Sequence, residues 1–212
     1  MSEMVKVVVD AMGGDNAPEE PVKAAVEAVK EKENIQVILT GVQDVIEAEL
    51  RKYPDYPKDR IRVVHASQVI ETAEPPVMAI QKKKDSSIVV GLNLVKKQEA
   101  DAFVSSGSTG AVLVGGQVIV GRIKGIRRPP LAPLIPTAKG LSLLIDCGAN
   151  VDARPDHLVQ FAQMGSIYME NVVGIKKPRV AIVNNGAEEE KGNALVKATF
   201  PLLKACKDIN FI

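Results

Sequence analysis

The stretch "VKVVVDAMGGDNAP" at residues 5–18 decides the fold. Its first six residues are mostly β-branched and apolar, which suits a buried strand. Two adjacent glycines, Gly13 and Gly14, then stand between Asp10 and Asp15. A tight turn needs one glycine, so the second implies backbone that must come close to something. Pro18 opens a helix expected to run to Glu31, with Val22, Ala25, Val26 and Val29 on one face. Strand, glycine loop and helix make the first step of an α/β architecture.

The same alternation continues along the chain. "IQVILTG" (35–41) and "IRVVH" (61–65) read as strands around an amphipathic helix at 42–52. "PVMAIQKKK" and "SSIVVGLNLVKKQEA" read as helices, the second capped by Ser86 or Ser87. "DAFVSS" (101–106) is a strand and "AVLVGGQVIVGRI" a buried helix, although that composition also suits a strand. "LAPLIPT" and "LSLLID" are expected to pair. A helix from Pro155, the strand "PRVAIVNNG", a helix over "EEEKGNALVKATFPLLKAC" and the strand "INFI" complete the chain. Repeated β-α units predict a three-layer α/β/α fold with a mainly parallel sheet, taken as one α/β domain over residues 1–212. Ending on an apolar strand leads to the expectation that the chain is C-terminally truncated.

With 212 residues, roughly 70% of the unfolded chain's surface can be buried, enough for a proper core. A net charge of +1, from 27 basic and 26 acidic residues, argues against general nucleic-acid binding. Aromatic residues make up only 3%, with no Trp, so stacking platforms for bases are not expected either. The two cysteines, Cys147 and Cys206, lack metal-site spacing, and no signal peptide is recognised, so a cytoplasmic chain with free thiols is expected. No apolar run approaches the ~20 residues of a spanning helix. The lysine run at 82–84 reads as a solvated helix end.

In open α/β sheets, ligands sit at the carboxyl ends of strands. Four strand ends carry small and polar residues: "DAMGGDNAP", "SSGSTGA" (105–111), "DCGANVDARPDH" (146–157) and "NNGAEEEKGN" (184–193). The second offers the hydroxyls of Ser106, Ser108 and Thr109 beside Gly107 and Gly110, an anion-binding pattern or a plain helix N-cap. It is neither a P-loop nor a dinucleotide fingerprint. The third brings Asp146, Asn150, Asp152, Arg154 and His157 within twelve residues, a polar cluster or a long turn with an Asx cap. Within it His157 reads as structural and Cys147 as a small buried thiol. The fourth sets Lys191 and Gly192 at a helix start, where a cation opposes the helix dipole and so hints at an anion, or is simply solvated.

Together these loops and "GRIKGIRRPPLAP" resemble the phosphate acyltransferases of bacterial phospholipid synthesis (acyl-ACP:phosphate transacylases, the PlsX family), collinearly from about residue 5 to the last residue. The resemblance implies a fold like those of isopropylmalate dehydrogenases and phosphotransacetylases. It implies a homodimer that converts acyl-ACP and inorganic phosphate into acyl phosphate and free ACP. The product would pass to a membrane glycerol-3-phosphate acyltransferase, placing the protein in the cytoplasm and at the inner face of the membrane. Two positions depart from the family: Ser108 stands where asparagine is usual, and Ala187 near a usual threonine. The family's further C-terminal part is absent after Ile212, so the chain is expected to lack part of its site.

That reaction needs a held phosphate, a stabilised oxyanion and a departing thiolate, so positioning and electrostatics should dominate. The resemblance then assigns Lys191, Asn150 and Asp146 to catalysis. It assigns Gly13, Gly14, Asp15, Ser106, Gly107, Ser108, Thr109, Gly110, Arg154, Asn185 and Gly186 to substrate and phosphate. Asp10, Asp15 and Asp146 repel phosphate when ionised and are assigned to orienting loop amides or cations. No metal and no cofactor is expected. Two other readings stand beside this one: an NAD-dependent decarboxylating dehydrogenase or phosphometabolite enzyme, and a non-catalytic scaffold whose basic segments dock an acidic acyl carrier protein.

Overall fold

The structure, a computed structural model, describes residues 4–186, 188 and 191–212. The chain divides into two compact units, Met1–Gly121 and Arg122–Ile212. Each is described by itself.

The first unit contains β1 (Val5–Asp10), α1 (Glu19–Glu31), β2 (Ile35–Gly41), α2 (Gln43–Leu50), β3 (Ile61–His65), α3 (Pro76–Lys82), α4 (Ser87–Lys96), β4 (Ala102–Val104) and α5 (Thr109–Gly115). Its strands are all parallel, in the order β3-β2-β1-β4. Alternate side chains divide the sheet's two faces. Val37 and Leu39 pack with Val22, Val26 and Val29 of α1 and Ile46 of α2. Val8 and Ile38 turn the other way, against Leu94 of α4. Helices therefore cover both faces, in three layers. Each such side chain stabilises the fold by roughly 1.5–3 kcal/mol when fully buried.

The chain steps outward from β1 to β2 to β3 and then returns, placing β4 on the free side of β1. The strand order thus reverses between β1 and β4. Their register sets Val7 opposite Ala102 and Val9 opposite Val104, so both strands end at the same height.

Helix ends follow local chemistry. Ser86 is the cap of α4, its Oγ accepting the Val89 N–H at 3.3 Å. Of the lysines at 82–84, Lys82 and Lys84 are exposed, as expected of a solvated helix end, while Lys83 is half-buried and both Lys83 and Lys84 bond nearby acceptors. Lys83 Nζ donates to the Val69 carbonyl (2.6 Å) and pairs with Glu74, and Lys84 Nζ donates to the Ile80 carbonyl (3.1 Å). The helix expected over "AVLVGGQVIVGRI" is α5 followed by a π-helical turn, Gly116–Val120, closed by Gly121 at φ 104°. Only its first half is buried, because Ala111 packs against α3 and α4 while Val118 and Val120 face outward.

Asp85 ties the loop after β3 to the start of α4. Ser67 donates to it from its hydroxyl (2.6 Å) and its amide (2.9 Å), and these bonds hold the carboxyl below its ordinary value. A depressed carboxyl stabilises the fold above its unfolded pKa of about 4 and loses that contribution as pH falls through the folded value. Ser67→Ala is expected to lower the melting temperature at neutral pH and to flatten its fall below about pH 4. An unchanged acid limb in thermal melts would contradict this.

The second unit contains an antiparallel hairpin, β5 (Leu134–Thr137) and β6 (Gly140–Leu143), then α6 (Pro155–Asn171), β7 (Arg179–Val180), α7 (Ala194–Ala205) and β8 (Asn210–Phe211). β7 and β8 pair in parallel. The strand expected over "PRVAIVNNG" is paired only at Arg179 and Val180, since β8 is itself only two residues long. Phe200 of α7 meets Phe211 of β8 edge-on, with ring centres 5.4 Å apart. The last expected helix begins late, at Ala194. Gly192 has φ 98°, outside helical space, and Asn193 is the cap, its Oδ1 accepting the Val196 N–H at 2.9 Å. Lys191 therefore precedes the helix instead of lying in its first turn.

Candidate active site

The reversal of strand order between β1 and β4 is where an open parallel sheet leaves a crevice for ligands. The loops that follow these two strands are the first glycine loop and the serine loop, and they close on each other. Asp10, only 1% exposed at the end of β1, is the link. Its Oδ1 accepts the Met12 N–H (3.1 Å) and its Oδ2 accepts the Ser105 hydroxyl (2.7 Å). Ser105 Oγ in turn accepts the Gly107 N–H (3.0 Å). One buried carboxylate thus orients both loops.

The two glycines have different reasons. A Cβ at Gly13 would lie 2.4 Å from Asp10 Oδ2 and 2.9 Å from the Gly107 nitrogen, so no side chain fits. Gly14 has φ 101°, a left-handed conformation that costs another residue roughly 1–2 kcal/mol. Gly14→Val is accordingly expected to destabilise the first unit by about that amount, more if the crowding against Ser106, 3.1 Å from the new Cβ, cannot relax. Chemical denaturation checks this, and unchanged stability would contradict it. Across the crevice, Gly107 lies against Gly13 (3.2 Å from its own would-be Cβ to the Gly13 Cα).

Among the described residues, the amides of Gly14, Asp15, Ser106 and Thr109 make no hydrogen bond within the chain. Gly14, Asp15, Ser106 and Thr109 are all exposed. Such amides, with the hydroxyls of Ser106 and Thr109, suit an anion. Ser108 is buried as the cap of α5, its Oγ accepting the Ala111 N–H at 3.3 Å, which leaves the hydroxyl hydrogen for another acceptor. Gly110 has a packing reason: a Cβ there would lie 2.5 Å from Pro76 Cγ of α3. A groove of about 670 Å³ runs from these loops along β1, walled by Val7, Val9, Val37 and Ala28.

Ser105 is the residue that sequence reasoning passed over. Its signal was its place as the first polar residue after β4, level with Asp10 at the end of the neighbouring strand.

In the second unit, Asp146 is consumed by its own loop. Its oxygens accept the amides of Leu131 (2.7 Å), Ala149 (3.3 Å) and Asn150 (2.7 Å), and the Asn150 side-chain amide (3.2 Å). Asn150 also donates to the Pro129 carbonyl (3.0 Å), joining the loop to the segment before β5. Both residues are positioned to hold backbone, and among the described residues the Asn150 side-chain oxygen accepts no hydrogen bond. They line a cavity of about 720 Å³ together with apolar residues that include Leu143, Phe161 and Met169 and polar ones that include Ser142, Ser166 and Arg179.

His157 is structural, as its place suggests: it is buried, and its Nδ1 accepts the Arg154 N–H at the start of α6 (3.3 Å). The Arg154 guanidinium is exposed, 3.8 Å from Asp156. Cys147, next to Asp146 in this loop, is exposed rather than buried. In the last loop the Asn185 N–H donates to Asn184 Oδ1 (2.8 Å) and the Lys191 N–H to the Glu188 carbonyl (3.0 Å). The Lys191 stem crosses Gly186, where a Cβ would lie 2.9 Å from Lys191 Cγ. The family departure near Ala187 lies outside the described residues.

No group of three or more His, Cys, Asp or Glu residues placed to hold a metal occurs among the described residues. Nor, among them, is any helix long and apolar enough to cross a membrane.

The fold is that of the phosphotransacetylases. A phosphotransacetylase from Streptococcus pyogenes superposes with a TM-score of 0.70 at 20% identity, covering 99% of this chain and 67% of that one. The EutD phosphotransacetylase from Staphylococcus aureus gives 0.65 at 18% identity, over 95% of this chain and 64% of its own. The sequence then fixes the family within that fold. Residues 5–212 match the family described as "Fatty acid synthesis protein", and the chain belongs to it. A phosphate acyltransferase of Clostridium botulinum is 53% identical over 98% of the chain, and one of Alkaliphilus oremlandii 56% identical over 94%. The chain spans 62% and 59%, respectively, of those relatives' lengths.

Proposed function

We propose that the protein forms acyl phosphate from an acyl thioester of acyl carrier protein and inorganic phosphate, in phospholipid synthesis. A phosphate oxygen attacks the thioester carbonyl, the C–S bond breaks, and the carrier leaves as its thiolate. The observation that carries this reading is the pair of loops locked together by Asp10 at the reversal of strand order, with unbonded amides at Gly14, Asp15, Ser106 and Thr109. Phosphate is the anion this arrangement suits, because small residues let its oxygens reach backbone donors that need no reorganisation. Asp15 serves through its amide, since its ionised carboxylate would repel the substrate. Lys191 and Arg154 are the cations proposed to offset phosphate charge, and Asp146 and Asn150 hold their loop in shape. The groove beside β1, with its apolar wall, suits the uncharged part of a thioester substrate.

We further propose that the protein works as a homodimer in the cytoplasm, peripheral to the membrane where an acyltransferase takes up the product. The test of the reaction is phosphate-dependent release of carrier thiol from an acyl-loaded carrier. It is run on the 212-residue chain and on a version extended to the relatives' length. Release that tracks phosphate supports the reading. Saturable binding of NAD with no response to phosphate in either version would replace it.

A further inference from the structure

Segment 122–131 holds Arg122, Lys124, Arg127 and Arg128 and no acidic residue, in a chain whose net charge is only +1. All four cations are exposed, but the structure divides them by task. Arg122 donates to the Arg127 carbonyl (2.5 Å), and Arg127 pairs with Asp156 in the first turn of α6. Gln160, one turn further, grips the middle of the segment at two points: its Oε1 accepts the Arg127 N–H (3.0 Å) and its Nε2 donates to the Gly125 carbonyl (2.9 Å). The loop is therefore built to a fixed shape. Lys124 and Arg128 have no hydrogen-bond or acidic partner among the described residues, and between Arg122 and Lys124 stands Ile123, 76% exposed.

Two cations spent on holding a loop, and two left outward beside an apolar side chain, make a patterned surface. We propose that this loop is the docking surface for an acidic protein, the carrier that delivers the acyl group. The proposal rests on the thioester reading above. Shape favours a protein over a membrane. Lipid surfaces are held by broad apolar helix faces or by mobile basic clusters. Here the backbone is pinned at two points, one apolar side chain is offered, and no aromatic residue lies in the segment. Fixed charges around a small apolar centre instead give register and steering toward an oppositely charged partner.

The test is direct binding of fluorescently labelled acyl carrier protein to the 212-residue chain, followed by anisotropy over a range of salt. Lys124→Glu with Arg128→Glu is expected to weaken binding about tenfold, two exposed charges each contributing a modest share. Lys139→Glu with Lys176→Glu carries the same charge change on exposed positions elsewhere in the second unit, and is expected to weaken it less than about twofold. Neither pair holds the loop, and far-ultraviolet circular dichroism confirms that both variants fold. Equal weakening by the two pairs, or none by either, overturns the docking surface while leaving the carrier as substrate. No binding by the unmodified chain overturns the carrier itself. Binding to phosphatidylglycerol vesicles that is lost in the Lys124/Arg128 variant, with carrier binding unchanged, assigns the loop to the membrane and overturns the proposal.

Discussion

Replacing Gly13 with alanine is expected to lower acyl phosphate formation by about two orders of magnitude, with the sheet of the first unit still folded. The reason is geometric. The new methyl carbon would lie 2.4 Å from Asp10 Oδ2, 2.9 Å from the Gly107 nitrogen and 2.9 Å from Ser105 Oγ. All three belong to the link that joins the two loops, and all three are held in hydrogen bonds that cannot simply swing aside. Relief requires the loops to part by roughly an ångström, and a displacement of that size costs about 10²-fold when catalysis depends on placement. The helices and strands lie outside the clash, so far-ultraviolet circular dichroism should not change. Turnover within a few-fold of the unmodified protein would show that the contact between the loops has no bearing on the reaction.

Lys191→Ala is expected to have an effect of similar size, about 10²-fold in turnover, the loss typical of one removed partner to transition-state charge. The lysine lies two residues before the cap of α7, so it is not held by helical hydrogen bonds. Its stem passes over Gly186, where a Cβ would lie 2.9 Å from Lys191 Cγ. Gly186→Val should therefore act in the same direction by displacing Lys191, and Lys191→Arg should recover part of the loss. Near-normal turnover in Lys191→Ala would remove the residue from the reaction. A normal Gly186→Val alongside a deficient Lys191→Ala would keep the charge but not the account of its placement.

The elements of the first unit were legible because each rests on a local rule. A β-branched run, a proline at the first helical turn and a one-faced apolar pattern are readable without tertiary information, and β1, α1, β2, α2 and β3 follow them closely. The double glycine was readable as close backbone approach. What it approaches was not: the partner is Gly107, ninety-four residues on, and only the return of β4 to the side of β1 brings it there. Ser105 was missed for the same reason, since its function lies in Asp10 on another strand.

The second unit was less legible. The lateness of α7 depends on Gly192 having a positive φ, and the brevity of β7 depends on how little of it has a pairing partner. Cys147 is exposed within a loop whose shape comes from Asp146 accepting four N–H donors. Composition alone offered a buried thiol and a longer strand. The basic segment at 122–131 was readable as charge, but its division into holding and outward-facing cations needed Asp156 and Gln160 of α6.

The two loops at the reversal of strand order are proposed to bind inorganic phosphate. The most direct measurement is a titration of ¹⁵N-labelled protein with phosphate, following backbone amides by nuclear magnetic resonance. Saturable shifts at Gly14, Asp15, Ser106 and Thr109, abolished by Gly13→Ala, are the predicted result. Shifts that fail to saturate, or that fall elsewhere and survive the Gly13 substitution, would contradict it.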